Sequence, residues 1–152
     1  MEFPQHIPQA VPSDDTVDKL NELIAHHRTT LEVCDAAAPR LDDIVERGEI
    51  RDMASDHLRH LDQLARCVEK LGGHPTRIKA DLPAERGDVV ELVRDERLLT
   101  AVLADEEAMA KLYGNVVDDI HSSDRIEQAV GRGLELIDKH RHWLRDELQA
   151  SA

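Results

Sequence analysis

Apolar side chains return at steps of three and four along four stretches of the 152-residue chain, the spacing of helices that each bury one face. The first seam runs through Leu20, Ile24, His27, Leu31, Cys34, Ala38 and Leu41, and the second through Ile50, Met53, His57, His60, Leu64, Cys67 and Leu71. A third takes in Leu92, Leu99, Val102 or Leu103, Glu106, Met109 or Ala110, Tyr113, Val116 and Ile120. The fourth is Ile126, Val130, Gly133, Ile137, His140, Leu144 and Leu148. These seams predict helices over about 14 into the thirties or forties, 49–71, 88–120, and from about 124 onward. Ser13, Asp14 and Asp15 supply oxygen-bearing caps for the first, and Pro39 either ends or kinks it. Gly48 is expected to separate the first two helices, and Gly72-Gly73 with Pro75 to stop the second. The fourth begins after the cap cluster Ser122-Ser123-Asp124, with Glu127 three residues after Asp124 in the pattern of a capping box.

The connection over 72–87 is longer than an antiparallel helical hairpin needs. At roughly 3.3 Å per extended residue it can cross the length of a bundle and join two parallel helices. Residues 1–12, with prolines at 4, 8 and 12, read as a flexible extended leader, and 13–152 as one four-helix domain. The leader has the pattern of neither signal peptide nor membrane anchor.

Composition sharpens the class to all-α. Hydrophobic residues make up 41% of the chain but aromatics only 2%, so the core must be built from Leu, Val, Ile and Ala at helical spacing. A formal charge of -13 argues against nucleic acid as a partner, because phosphate backbones are gripped by clusters of Lys and Arg. Cys34 and Cys67 fall on seams, where a thiol packs as a small apolar side chain, and on antiparallel helices they diverge. A reducing cytoplasm follows as the expected location, and a homodimer as the expected assembly.

Each seam is interrupted near its middle by a residue able to bind a metal: His27, His57 with His60, Glu106 and His140. A polar group in a core is costly unless it is hydrogen-bonded, paired or metal-bound. Glu106 lies about fifteen residues before the last turn and His140 about seventeen after it, so an antiparallel pair places them at one level. The same count matches His27 with His57 and His60 if the first helix ends near Pro39. Four imidazoles and a carboxylate suffice for one transition metal, zinc or iron. His26, Asp56, Asp105, Glu107, Asp138 and His142 are the candidate outer partners. The competing reading is a metal-free, hydrogen-bonded His/Glu core. His142 falls off the seam, Trp143 reads as a boundary side chain, and Met53 and Met109 read as fillers.

The segment Asp56-His57-Leu58-Arg59-His60, followed by Leu64, Val68 and Leu71-Gly72-Gly73-His74-Pro75, resembles the second helix and exit of ferritin-like bundles of the bacterioferritin and rubrerythrin kind. Leu20-Asn21-Glu22-Leu23-Ile24, Glu106 seven residues before Tyr113, and His140 with Trp143-Leu144 extend the likeness over nearly the whole chain after the leader. The resemblance implies a ferritin-like four-helix bundle with a long connection between helices 2 and 3, and carboxylate-bridged di-iron chemistry. This chain departs from that ligand set. His27 and His57 stand where the family has glutamates, and Ile137, with Asp138 beside it, stands at a third; only His60, Glu106 and His140 match. The departures predict a mononuclear or degenerate site, with redox or hydrolytic chemistry in a stress-related role at most.

Overall fold

Proline lacks an N–H and restricts the residue before it, and Pro39 ends the first helix here. In the computed structural model, which describes residues 7–80, 94–120 and 123–151, α1 (Ile7–Ala37) passes into a single 3-10 turn, Ala38–Arg40, and an extended Leu41. α2 (Ile44–Lys70) then starts from Asp43, whose carboxylate accepts the Glu46 N–H at 3.0 Å. The second helix therefore begins five residues earlier than the glycine pattern predicts. Gly48 lies inside it, because one helical glycine costs only about 1 kcal/mol and a good N-cap offsets that.

α1 takes in residues 7–12, which the sequence assigns to the leader, and the expected caps Ser13, Asp14 and Asp15 fall within its span. The remainder of that leader, residues 1–6, lies outside the described residues. At the other end of α2, Gly72 takes a positive φ of 83°, and the N–H groups of Leu71, Gly72 and Gly73 close the last turn onto the carbonyls of Cys67, Val68 and Glu69. Gly73 is needed for a different reason: a Cβ there would press into Val17 and Val68.

The chain after Gly73 climbs back along α1. Asn21 exchanges hydrogen bonds with the backbone of His74 and Thr76, Arg28 Nε donates to the Thr76 carbonyl, and Thr29 Oγ1 donates to that of Ala80 at 2.8 Å. Residues 81–93, with the expected start of helix 3 and Leu92, lie outside the described residues. α3 (Asp95–Val116) begins beside the α1–α2 turn, where the Asp95 carboxylate accepts the N–H groups of Asp42 and Asp43 at 2.9 and 3.1 Å. Two helices that start at the same end of the bundle run parallel, so the connection is the crossover that its length allows. A 3-10 turn, Val117–Asp119, closes α3, and α4 (Asp124–Ser151) returns. Its cap is Ser123, the middle member of the expected cluster, whose Oγ accepts the Ile126 N–H.

The seams turn inward. Val102 and Met109 are the buried members of their alternative pairs, and Leu23, Val33, Leu61, Val68, Leu98 and Ala129 widen the core beyond the seams. The core is divided. One apolar cluster holds Leu20, Leu23, Ile24, Leu64, Tyr113 and Ile137, and the other Val33, Ile50, Met53, Leu98, Val102 and Leu144. The free thiols separate likewise, Cys67 in the first cluster and Cys34 in the second. Between the clusters lies a layer of buried polar side chains. Among the described residues, no helix is long and apolar enough to cross a membrane.

Candidate metal centre

The polar layer collects the five seam residues at one level, each at most 4% exposed: His27, His57, His60, Glu106 and His140. His57 comes from α2, Glu106 from α3 and His140 from α4, and one ligand atom of each lies within 4.8 Å of the others. His57 Nε2 stands 2.6 Å from Glu106 Oε2, and His140 Nδ1 stands 3.3 Å from Glu106 Oε1. His27 and His60 pack on the far side of His57, their ring centroids 5.1 Å apart, and neither joins that three-residue group.

The hydrogen bonds form one line across the bundle. Tyr113 and His27 Nε2 are 2.7 Å apart, His27 Nδ1 and His57 Nδ1 2.9 Å, then come His57, Glu106 and His140, and His140 Nε2 meets Asp56 Oδ2 at 3.0 Å. A consistent set of donors exists: the tyrosine O–H donates to His27, His27 to His57, and His57 to Glu106, while His140 donates to both Glu106 and Asp56. The electrostatics agree. Burial would push the Glu106 carboxyl up, but the charges and hydrogen bonds of His57 and His140 outweigh it and hold it at about 2. Burial likewise disfavours charge on His140, yet Glu106 and Asp56 together raise it above the ordinary histidine value. Burial and the surrounding imidazoles drive His27 well below the usual range, so it is neutral. Tyr113 is raised by burial and by the Glu106 charge, and keeps its proton.

His60 differs from the others. Burial lowers it to about 4, opposed by a 3.3 Å contact from its Nδ1 to Gln63 Oε1 and assisted by the charges of His57 and Arg132. With its proton on Nδ1 facing Gln63, the buried Nε2 carries a lone pair and has no hydrogen-bond partner. Gly133 makes room for it: a Cβ on that residue would collide with His60 Nε2 and the Tyr113 hydroxyl. An apolar seam gives no hint that its glycine is there for clearance. Gln63 is likewise silent in the sequence, since it lies on the exposed flank of α2.

Of the candidate outer partners, Asp56 reaches the layer. Glu107, Asp138 and His142 pair at the surface with Arg145, Arg141 and Asp146. Asp105 is buried, and His26 is half-buried with its pKa lowered by burial and by His57. Trp143 packs beside Leu144 as a boundary side chain.

The donor set fits one cation better than two. Two imidazoles and a carboxylate converging from three helices suit a single zinc or iron ion, and the unpartnered His60 nitrogen offers a further lone pair nearby. A bridged pair of irons needs several carboxylates. Ile137 is fully buried among apolar neighbours, and Asp138 points outward with a 59% exposed side chain, so α4 contributes none.

Four helices with a crossover between α2 and α3, around a buried His/Glu layer, make this a ferritin-like four-helix bundle. No protein-family model and no curated protein matches the chain. Solved structures do. A ferritin-like, diiron-carboxylate protein from Bacillus anthracis aligns with a TM-score of 0.75 at 17% identity, covering 90% of this chain and 97% of its own. The Desulfovibrio desulfuricans bacterioferritin, which has a diiron site, gives 0.76 at 18% identity, with 92% and 81% covered. A two-domain protein from Anabaena variabilis containing DJ-1/ThiJ/PfpI-like and ferritin-like domains gives 0.75 at 16% identity over 91% of this chain, which spans only 37% of that longer protein. At these identities the likeness is one of fold.

Proposed function

We propose that the protein binds one transition-metal ion, zinc or iron, in the buried layer through His57, Glu106 and His140, with His27 and His60 as neighbours able to complete the coordination. The observation that carries this reading is the convergence of three ligand atoms from three helices within 4.8 Å, in a layer closed to solvent. The diiron-carboxylate character of the Bacillus anthracis protein supports it by analogy of fold. When bound, such an ion supplies Lewis acidity or, as iron, a redox couple.

The chain's own residues position the ligands. Asp56 holds His140 Nε2, which turns Nδ1 towards the centre. To offer a lone pair at Nε2, His57 must carry its proton on Nδ1. The donor chain then runs the other way, from His57 to His27 to the Tyr113 oxygen, and the tyrosine proton is free to turn towards the His60 Nε2 that crowds the same point above Gly133. Tyr113 and His27 thus serve either proton arrangement.

A second reading rests on that same line of contacts. The layer from Tyr113 to Asp56 satisfies itself with protons alone, as a metal-free structural core would. Elemental analysis of purified protein, with melting in the presence and absence of chelator, separates the two. The metal reading predicts close to one zinc or iron per chain and a midpoint that falls when the chelator strips it. Absence of metal with an unchanged midpoint would establish the polar-core reading instead. We place the protein in the cytoplasm as a homodimer with a redox or stress role, and sedimentation of the purified chain tests the dimer.

A further inference from the structure

Away from the polar layer, a cleft of about 600 Å³ opens between the later part of α2 and the first turns of α4. Arg66 and Lys70 line it on one side, four residues apart, and Arg125 and Arg132 on the other, seven apart. Among the described residues, no acidic side chain lines it. In a chain with 32 Asp and Glu against 19 Lys and Arg, such a segregation of charge is against the overall balance. None of the four cations makes an ion pair with a described residue. Four like charges facing one another across a groove repel, and a bound anion relieves that.

The floor is apolar. Cys67, Ile126 and Ala129 are buried beneath the cations, and Leu71 is half-buried at one end. Burial raises the Cys67 thiol, while the charges of Lys70, Arg132 and Arg125 pull it the other way, so three of the four cations act on one point of the floor. The Gln63 carbonyl oxygen faces His60, which leaves its amide NH2 as a neutral donor on the rim, and Ser123 also lines the cleft.

We propose that this cleft binds a phosphate-bearing small molecule, the phosphate gripped by the α2 and α4 cations and an apolar group laid on the floor between them. Guanidinium forks match phosphate oxygens in pairs, and a phosphate carries roughly −1.5 to −2 charges at neutral pH, which answers a cluster of cations better than one carboxylate does. The volume is that of a small-molecule pocket with an apolar lining and a few polar groups. At physiological ionic strength the repulsive field of the net negative chain is screened beyond about 8 Å, while contacts inside the cleft are not.

Calorimetric titration of the full chain with phenyl phosphate, inorganic phosphate and phenol tests this. Phenyl phosphate is expected to bind saturably, one per chain, at least tenfold more tightly than either inorganic phosphate or phenol. Combined Arg66→Glu and Arg125→Glu substitutions should weaken it at least tenfold while leaving the melting midpoint and metal content of the parent. If the charge reversals unfold the chain, the milder pair Lys70→Gln and Arg125→Gln carries the same comparison. Absence of saturable binding, equal affinity in parent and folded variant, or inorganic phosphate binding as tightly as phenyl phosphate would each overturn the proposal. So would binding of anionic lipid vesicles or single-stranded DNA with none of phenyl phosphate.

Discussion

Glu106 is the carboxylate on which three helices meet, accepting from His57 of α2 and His140 of α4 while rooted in α3. Its loss leaves buried imidazoles without their acceptor, and breaking a buried pair from one side costs about 3–5 kcal/mol. Glu106→Ala is therefore expected to lower the unfolding free energy by about that amount in urea titration, and to abolish metal retention on the proposed reading. A variant as stable as the parent would remove Glu106 from the centre of the account. The seam residues of this layer were legible because a histidine or glutamate interrupting an apolar face is chemically conspicuous. Asp56 was legible only as one of six candidate partners, since its contact with His140 spans 84 positions and depends on how α2 and α4 pack. Gln63 was hidden, because nothing in an exposed glutamine announces which imidazole it will meet.

At the scale of the helix, two glycines of α4 offer a paired test. A Cβ on Gly131 would meet nothing within 4 Å, so Gly131→Ala should stabilise by about 0.5–1 kcal/mol through helix propensity alone. Gly133→Ala should destabilise, because the added methyl must displace His60 and Tyr113 from the polar layer. Thermal melts of the two variants check both signs. If Gly133→Ala were neutral or stabilising, the close approach described for the layer would be wrong. Sequence periodicity puts Gly133 on the apolar seam and Gly131 off it, but does not say why the seam needs a glycine there, since clearance for a neighbour's side chain leaves no local signal. The boundaries show the same limit. Pro39 and Gly72 were readable because their covalent chemistry forces a helix end, whereas Gly48 misplaced the start of α2 because a helix tolerates glycine once Asp43 has capped it.

For the whole molecule, the crossover could be anticipated from the length of the connection, but its path required the backbone contacts from Asn21 to Thr29 along α1. At the end of the bundle where α2 and α3 begin, one carboxyl makes stability depend on pH. Glu46, 6% exposed, is raised from its ordinary 4.5 to about 7, chiefly by burial, then by a hydrogen bond with Glu147 of α4 and the charges of Asp43, Glu147 and Asp95. The folded chain thus holds a proton that the unfolded chain releases between these values. Glu46 contributes its full stabilisation below pH 4.5, and loses it as pH rises to about 7. Glu46→Gln should flatten that fall and melt higher than the parent at pH 8, measured as midpoint against pH from 5 to 8; a parallel pH profile in both proteins would contradict the assignment.

The metal reading meets its most direct test in anomalous diffraction from crystals of the protein as purified, collected at the zinc and iron absorption edges. The account predicts one peak per chain, enclosed by His57, Glu106 and His140 and lying between the two apolar clusters. No peak in that layer, or one bound only by surface carboxylates, would contradict it.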